Sequence, residues 1–387
     1  MNPIDQLRAA RPAHLGDTPV DQSTRTAELS RAMAQPRPVP ARRRTVRPVW
    51  GFGLAGAAAA VTAVAVAVSG TGGTAPRAPS AQVVSSQTAP AQEIRLSAQA
   101  VLLAAAHSAA RQPDTAGAYW HTVSVSRNLF KAADADYTVV NRERNESWTP
   151  SATGGEQRSR TQPLGAEPAS PEDETAWKQV GSPAGISVTV PGKRGAKLVL
   201  PTGQGAAQDG HASLVDGDKV FWLGRNVTMK DLRDLPSDPD KLKAWLLRSY
   251  DGHDTESDAP MASDAWLFAV TVGLFTDMPV TPEVRGAAFQ MLAGLKTIKV
   301  VRDVTDAEGR TGTAVAIEGQ AKLNATAKDD GGILQTRLVF DETTGQALAR
   351  ESVVVRPGGR VAGFAPGTVW SSESVLEAGW TDAEPTA

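Results

Sequence analysis

The sequence predicts an α+β fold in which a curved antiparallel sheet packs on helices, carried outside the membrane by a single transmembrane helix. Three observations predict it. Strand-like stretches form two blocks, near 118–162 and 297–376, with helical patterning between 237 and 295. Short turn sequences join neighbouring strands, which favours antiparallel pairing. From Pro48 through Pro76 the chain carries no charged residue.

The 387 residues divide by composition. Residues 1–47 and 70–96 are rich in Pro, Ala, Arg, Ser, Thr and Gln and poor in large apolar side chains, so neither buries much core. Residues 97–380 hold eight of the nine Trp and all three Tyr, enough for one sizeable core, and 381–387 form a short tail. The formal net charge of −2 hides an asymmetry. Residues 1–47 hold nine Arg against Asp5, Asp17, Asp21 and Glu28, so this segment is basic and the remainder mildly acidic. A basic tail on an acidic body fits membrane topology; a nucleic-acid partner would call for a basic stripe on the folded part.

The span is placed at 48–69. At 1.5 Å per residue it covers about 33 Å, enough to cross a hydrocarbon core of about 30 Å. Alanine is nearly neutral toward lipid, so Val49, Phe52, Leu54, Val61, Val64, Val66 and Val68 supply the favourable terms, together about −2 to −4 kcal/mol. Arg42, Arg43, Arg44 and Arg47 stand immediately before the span and only Arg77 close after it, which puts the N-terminus in the cytoplasm and residues 97–380 outside. Trp50 lies at the inner membrane interface. Two readings compete: a buried helix of a soluble protein, for which the Pro-rich basic lead and the Gly/Thr/Ser/Pro exit are poor surroundings, and a cleaved signal peptide through Ala65-Val66-Ala67, for which the leader is too long.

In the tail, Thr18-Pro19-Val20-Asp21 is a helix-start signature, and a short helix over about 19–34 is expected. It either orders on a cytoplasmic regulatory protein or serves as a solvated leader. Residues 70–96, with Pro76, Pro79 and Pro90, read as an extended tether.

Beyond the tether, an Ala/Leu-rich helix from Ser97 to Arg111 is apolar almost all round, which implies burial on several sides beneath the sheet. Strands follow near 118–130, 136–148 and 155–162. Alternation sets Tyr119, His121, Val123 and Val125 on one face and Trp120, Thr122, Ser124 and Ser126 on the other. With Arg142, Glu143, Arg144 and Glu146 next in line, the polar side reads as a solvated face laced with ion pairs. Residues 163–218 are interrupted by Pro and Gly and read as mobile surface with short strands at 186–190 and 197–200.

Helices are expected from Ser237-Asp238-Pro239-Asp240, over 261–276, and from Thr281-Pro282-Glu283. The last sets Val284, Ala287, Ala288, Met291, Leu292 and Leu295 at helical spacing. Strands return at 297–303, 312–319, 333–340, 346–356 and about 368–376.

Zero cysteines exclude disulfides, thiolate metal sites and a Cys nucleophile. No phosphate-binding or dinucleotide glycine pattern occurs, and Gly181-Ser182-Pro183-Ala184-Gly185 lacks the nucleophile-elbow spacing. His14, His107, His121, His211 and His253 stand apart and read as structural or solvated. The acid pairs Asp216/Asp218, Asp238/Asp240 and Asp329/Asp330 read as turns or helix starts, and Asn145, Asn226 and Asn324 carry the glycan triplet. No catalytic residue, metal ligand or cofactor is assigned.

The segments Pro282-Glu283-Val284-Arg285-Gly286-Ala287-Ala288, Val304-Thr305-Asp306-Ala307-Glu308-Gly309-Arg310-Thr311-Gly312 and Leu338-Val339-Phe340-Asp341-Glu342-Thr343-Thr344-Gly345 resemble a family of uncharacterised actinobacterial single-pass membrane proteins. So do Met1-Asn2-Pro3-Ile4-Asp5-Gln6-Leu7 and Gly379-Trp380-Thr381-Asp382. The resemblance implies the same topology and a link with alternative sigma factors, and brings no activity. The strand layout is also similar to the half-barrels of lipoprotein carriers and envelope-stress sensors, a likeness of fold alone.

The expected function is a non-enzymatic extracytoplasmic binding or sensing domain at the cell membrane, an envelope regulator resembling an anti-sigma factor. The alternative is a lipid- or lipoprotein-binding module with an envelope partner. A hydrolase without a recognisable motif comes last.

Overall fold

Among the described residues every strand–strand pairing is antiparallel, and nine of the thirteen strands form one curved sheet. The computed structural model describes residues 90–384 apart from 191–195, 223–224, 256–258 and 322–330. The expected span at 48–69, with Arg42, Arg43, Arg44, Arg47 and Trp50, and the expected tail helix lie outside the described residues. The chain divides into Met1–Arg47 and Pro48–Ala387, and all described residues belong to the second unit. Among them no helix is long and apolar enough to cross a membrane.

In chain order, α1 (Pro90–Ala110) leads into a meander of β1 (Tyr119–Lys131), β2 (Thr138–Pro150) and β3 (Glu156–Pro168). Next come α2 (Pro171–Gln179), a hairpin of β4 (Gly185–Thr189) and β5 (Lys197–Pro201), and β6 (Gln208–Ser213). A second hairpin joins β7 (Lys219–Trp222) to β8 (Arg225–Thr228). Four helices follow: α3 (Met229–Arg233), α4 (Pro239–Leu247), α5 (Ser263–Thr276) and α6 (Pro282–Ala293). The chain then returns through β9 (Lys299–Thr305), β10 (Thr311–Gln320), β11 (Ile333–Phe340), β12 (Ala347–Arg356) and β13 (Val369–Thr381). The large sheet runs β6-β3-β2-β1-β13-β12-β11-β10-β9, so the first and last of its strands in sequence are neighbours at its centre.

The fold class is α+β, with a large curved antiparallel sheet packed with helices. The helix starts follow from their caps. Asp238, Thr281 and Ser170 each precede a Pro at the first helical turn, and their side chains accept the backbone N–H of Lys241, Val284 and Asp173. Thr228 and Asp231 form a reciprocal capping box that starts α3. α5 stops at Asp277, two residues before Pro279.

The main core lies between the helices and the β10–β11 half of the sheet. Phe289 sits at its centre with ring centroids 4.4 Å from Phe275 and 4.9 Å from Phe340, among Trp266, Leu292 and Leu338. Fully burying each such side chain stabilises the fold by roughly 1.5–3 kcal/mol. α5 is buried nearly all round, from Trp266 to Thr276.

Three expectations are corrected. α1 begins at Pro90, inside the expected tether, and buries one face rather than several. Val101, Leu102, Ala105, Ala106 and Ala109 point inward while Leu103 and His107 are exposed. Its inner face meets α6 at Gly286, where an added Cβ would stand 2.8 Å from the Ala106 carbonyl oxygen. Residues 163–218, read as mobile surface, contain α2 and the edge strand β6, because Ser170-Pro171-Glu172-Asp173 is itself a helix start. The polar face of β1 is turned toward the helices instead of solvent. Thr122 and Ser124 share their side of the sheet with Trp120, whose indole Nε1 donates to the Asp277 carbonyl at the end of α5 (2.9 Å).

Candidate functional site

The helix-side face of the sheet is covered in two places. Helices seal the β10–β11 half, and the β4–β5 hairpin with α2 seals the far ends of β1 to β3, over Phe130, Val139 and Ala166. Between these covers lies a small recess of about 20 Å³, open to solvent. Thr122 and Ser124 reach it from β1, Asn145 and Ser147 from β2, Glu373 from β13 and Asp277 from the end of α5. Period-2 alternation aligns them: Thr122 pairs with Ser147 and Ser124 with Asn145, so four short polar side chains stand together.

Behind the recess, Arg350 on β12 gives its Nε to Glu373 at 2.7 Å and lies opposite it in register. The other Glu373 oxygen accepts the Ser124 hydroxyl at 2.7 Å. Arg350 Nη1 comes only to 4.0 Å from the Asp277 carboxylate, too far for a hydrogen bond. Burial pushes the Asp277 carboxyl up to about 7; Arg350 opposes this and Glu373 reinforces it. The helix C-terminus, negative in its dipole, also disfavours an anion there.

Asn145 is 4 % exposed. Its Oδ1 accepts the Thr161 hydroxyl at 3.2 Å, while its Nδ2 is buried with no hydrogen-bond partner. Such a buried amide atom costs about 1–3 kcal/mol unless something bonds it. The triplet at Asn145, one of several that chance supplies in a chain of this length, thus sits on a buried side chain.

The opposite face carries the ion pairs. His121 stacks on Trp148, with Glu146 3.0 Å from Nε2 and Glu377 3.1 Å from Nδ1. Arg337 and Glu351 form a buried pair with Nε to Oε2 at 2.6 Å, and Arg127 reaches Glu308 at 2.7 Å. Burial raises the Glu351 carboxyl above its ordinary value, opposed by Arg337. Asp238 is the α4 cap and Asp216 pairs with Lys219, as expected of turn and helix-start acids. Among the described residues no group of three or more His, Asp or Glu is placed to hold a metal ion.

The sequence reading missed Asp277, Glu373, Arg350 and Asn145 as one group. They come from four separate elements, and only register and the exit of α5 bring them together. The single visible signal was the hydroxyl run Thr122, Ser124, Ser126, which was assigned to solvent. Comparison with protein-family models, curated proteins and solved structures returned no match.

Proposed function

We propose that this is a single-pass membrane protein whose extracytoplasmic domain binds or senses a small polar solute without transforming it, with the N-terminal tail available to a cytoplasmic regulatory protein in the manner of an anti-sigma factor. The observation that carries the binding reading is the recess at Asp277, where polar groups from four elements converge and one buried amide atom has no partner. The anchor and its orientation rest on the uncharged stretch 48–69 and the arginines before it.

The lipid- or lipoprotein-binding alternative asks for an apolar cavity between sheet and helices. Phe268, Phe289 and Phe340 occupy that space, and the recess beside it is lined with hydroxyl, amide and carboxyl groups, which favours a polar ligand. A hydrolase of the two-carboxylate type would need a free second carboxylate beside Asp277, and both Glu373 oxygens are already bonded.

Reporter fusions test the anchor. An export-dependent reporter after residue 387 should be active, and the same reporter before Met1 inactive. Replacing Arg42, Arg43, Arg44 and Arg47 with Glu should reduce the asymmetry. An active N-terminal fusion in the native chain overturns the orientation. For inward signalling, deletion of residues 1–47 should change transcription, and an unchanged transcript profile rejects it.

A further inference from the structure

We propose that His121 is a proton-operated latch on the last stretch of β13, which it holds while the imidazole is charged and releases when the ring is neutral. The latch lies on the face of the sheet away from the recess, and it works whether or not the recess takes a solute.

Geometry carries the assignment. His121 is 9 % exposed on the central strand β1, with the Glu146 carboxylate of β2 3.0 Å from Nε2 and the Glu377 carboxylate of β13 3.1 Å from Nδ1. An ionised carboxylate only accepts hydrogen bonds, and a neutral imidazole has a single N–H to give. Both contacts are hydrogen bonds only when both ring nitrogens carry a proton. The arrangement is therefore that of an imidazolium joining three neighbouring strands. The ring also stacks on Trp148 with centroids 4.8 Å apart, and an indole face favours a cation.

The two carboxylates are not equivalent. The Glu146 side chain is 17 % exposed, its other oxygen lies 3.5 Å from Arg144, and Arg160 of β3 stands opposite it in register. Glu377 is 60 % exposed, and among the described residues its carboxylate has no partner but His121. When the ring gives one proton to solvent, the remaining N–H stays with Glu146. Stripping a largely buried carboxylate of a donor costs more than handing an exposed one to water. Nδ1 then turns a lone pair toward Glu377, and that contact opens. The charged groups around the ring are thus Glu146 and Arg144 from β2, Glu377 from β13 and, one strand further, Arg160 and Arg158, the latter opposite Trp148.

Release is local. A bulge between Val123 and Ser124 separates the pairing of Glu377–Thr381 from the rest of the β1–β13 ladder. This stretch carries Trp380, which meets Trp120 edge-on at 5.5 Å, and Trp120 in turn donates to the carbonyl at the end of α5. Loosening it passes a change in proton concentration from one face of the sheet to the helices on the other. Histidine is the side chain suited to such a change between roughly pH 5 and 8.

The test follows backbone hydrogen exchange of residues 377–381 in the full chain in detergent, comparing Glu377→Gln with the native chain at the same pH so that intrinsic exchange cancels. At about pH 5.5 the variant should exchange these amides roughly fivefold faster, and at about pH 8 the two chains should match, because the native latch is then already open. Nitrogen NMR of the His121 ring should show both nitrogens protonated at about pH 5.5 and only Nε2 at about pH 8. His121→Phe keeps a ring on Trp148 without its charge, and adding Glu377→Gln to it should change nothing at either pH. Should His121→Phe fail to fold, the Glu377→Gln comparison alone decides. The latch is overturned by an equal exchange ratio at the two pH values, by a ring whose proton count is the same at both, or by a neutral ring that keeps its proton on Nδ1.

Discussion

Asp277 and Arg350 face each other across 4.0 Å while Arg350 is bonded to Glu373, so an aspartate at the end of a helix is held near a guanidinium that already has a closer partner. The consequence is a carboxyl raised from 3.8 to about 7, mainly by burial.

This gives stability a definite pH dependence. A carboxyl whose pKa rises on folding takes up a proton when the chain folds. Its contribution is therefore fully present below 3.8 and is lost as pH climbs through about 7. Asp277→Asn should flatten that decline and gain roughly 1–3 kcal/mol over the native chain at pH 8, with little gain at pH 4. Urea unfolding at the two pH values measures it, and equal slopes in both proteins would disprove the assignment.

The Arg337–Glu351 pair should respond as a buried ion pair does. Arg337→Met leaves a carboxylate that is 2 % exposed without its cation, at a cost of about 3–5 kcal/mol. Adding Glu351→Met should restore most of the loss, and the single variant should lose less at low pH, where Glu351 protonates. A double variant no more stable than the single one would count against this account.

At the α1–α6 contact, Gly286→Ala sets helix propensity against space. Alanine favours the helix by up to about 1 kcal/mol. Its Cβ would lie 2.8 Å from the Ala106 carbonyl oxygen and 2.9 Å from the Ala110 Cβ, and a backbone oxygen has little room to retreat. Overpacking of about 1–3 kcal/mol should win. A melting temperature at or above the native value would show that the two helices separate freely.

The start of α3 offers a local test. Thr228 Oγ1 accepts the Asp231 N–H at 2.9 Å and Asp231 Oδ2 accepts the Thr228 N–H at 3.0 Å. Thr228→Ala should destabilise the protein by about 1 kcal/mol, and Thr228→Ser by much less. Chemical denaturation of the two variants side by side distinguishes cap loss from a general tolerance of the site.

Much of the architecture was legible because it is written in local patterns. The strand expected at 333–340 is β11 from Ile333 to Phe340, and the helix begun by Thr281-Pro282 buries Val284, Ala287, Ala288, Met291 and Leu292. α2 and α3 carry equally good caps, but α2 buries no residue and α3 has only five residues, so neither shows a hydrophobic period. The face of β1 was misassigned for a physical reason. Hydroxyl side chains normally face water, and only the approach of α5 to Trp120 turns that side inward. The recess was invisible because Asp277 lies in a sequence loop and Glu373 in an ordinary strand. Their meeting depends on a pairing between the two ends of the domain.

That pairing sets the order in which the protein can be made. Tyr119 aligns with Thr381 and Trp120 with Trp380, so the middle of the sheet joins residues separated by nearly the whole domain. While the ribosome is still adding β12, the early meander has an open strand edge and the later strands can pair only with one another. Contacts this distant in sequence make for slow folding. The two halves therefore wait for the final strand, and a chain stopped at residue 368 would possess every described helix yet have no centre to its sheet.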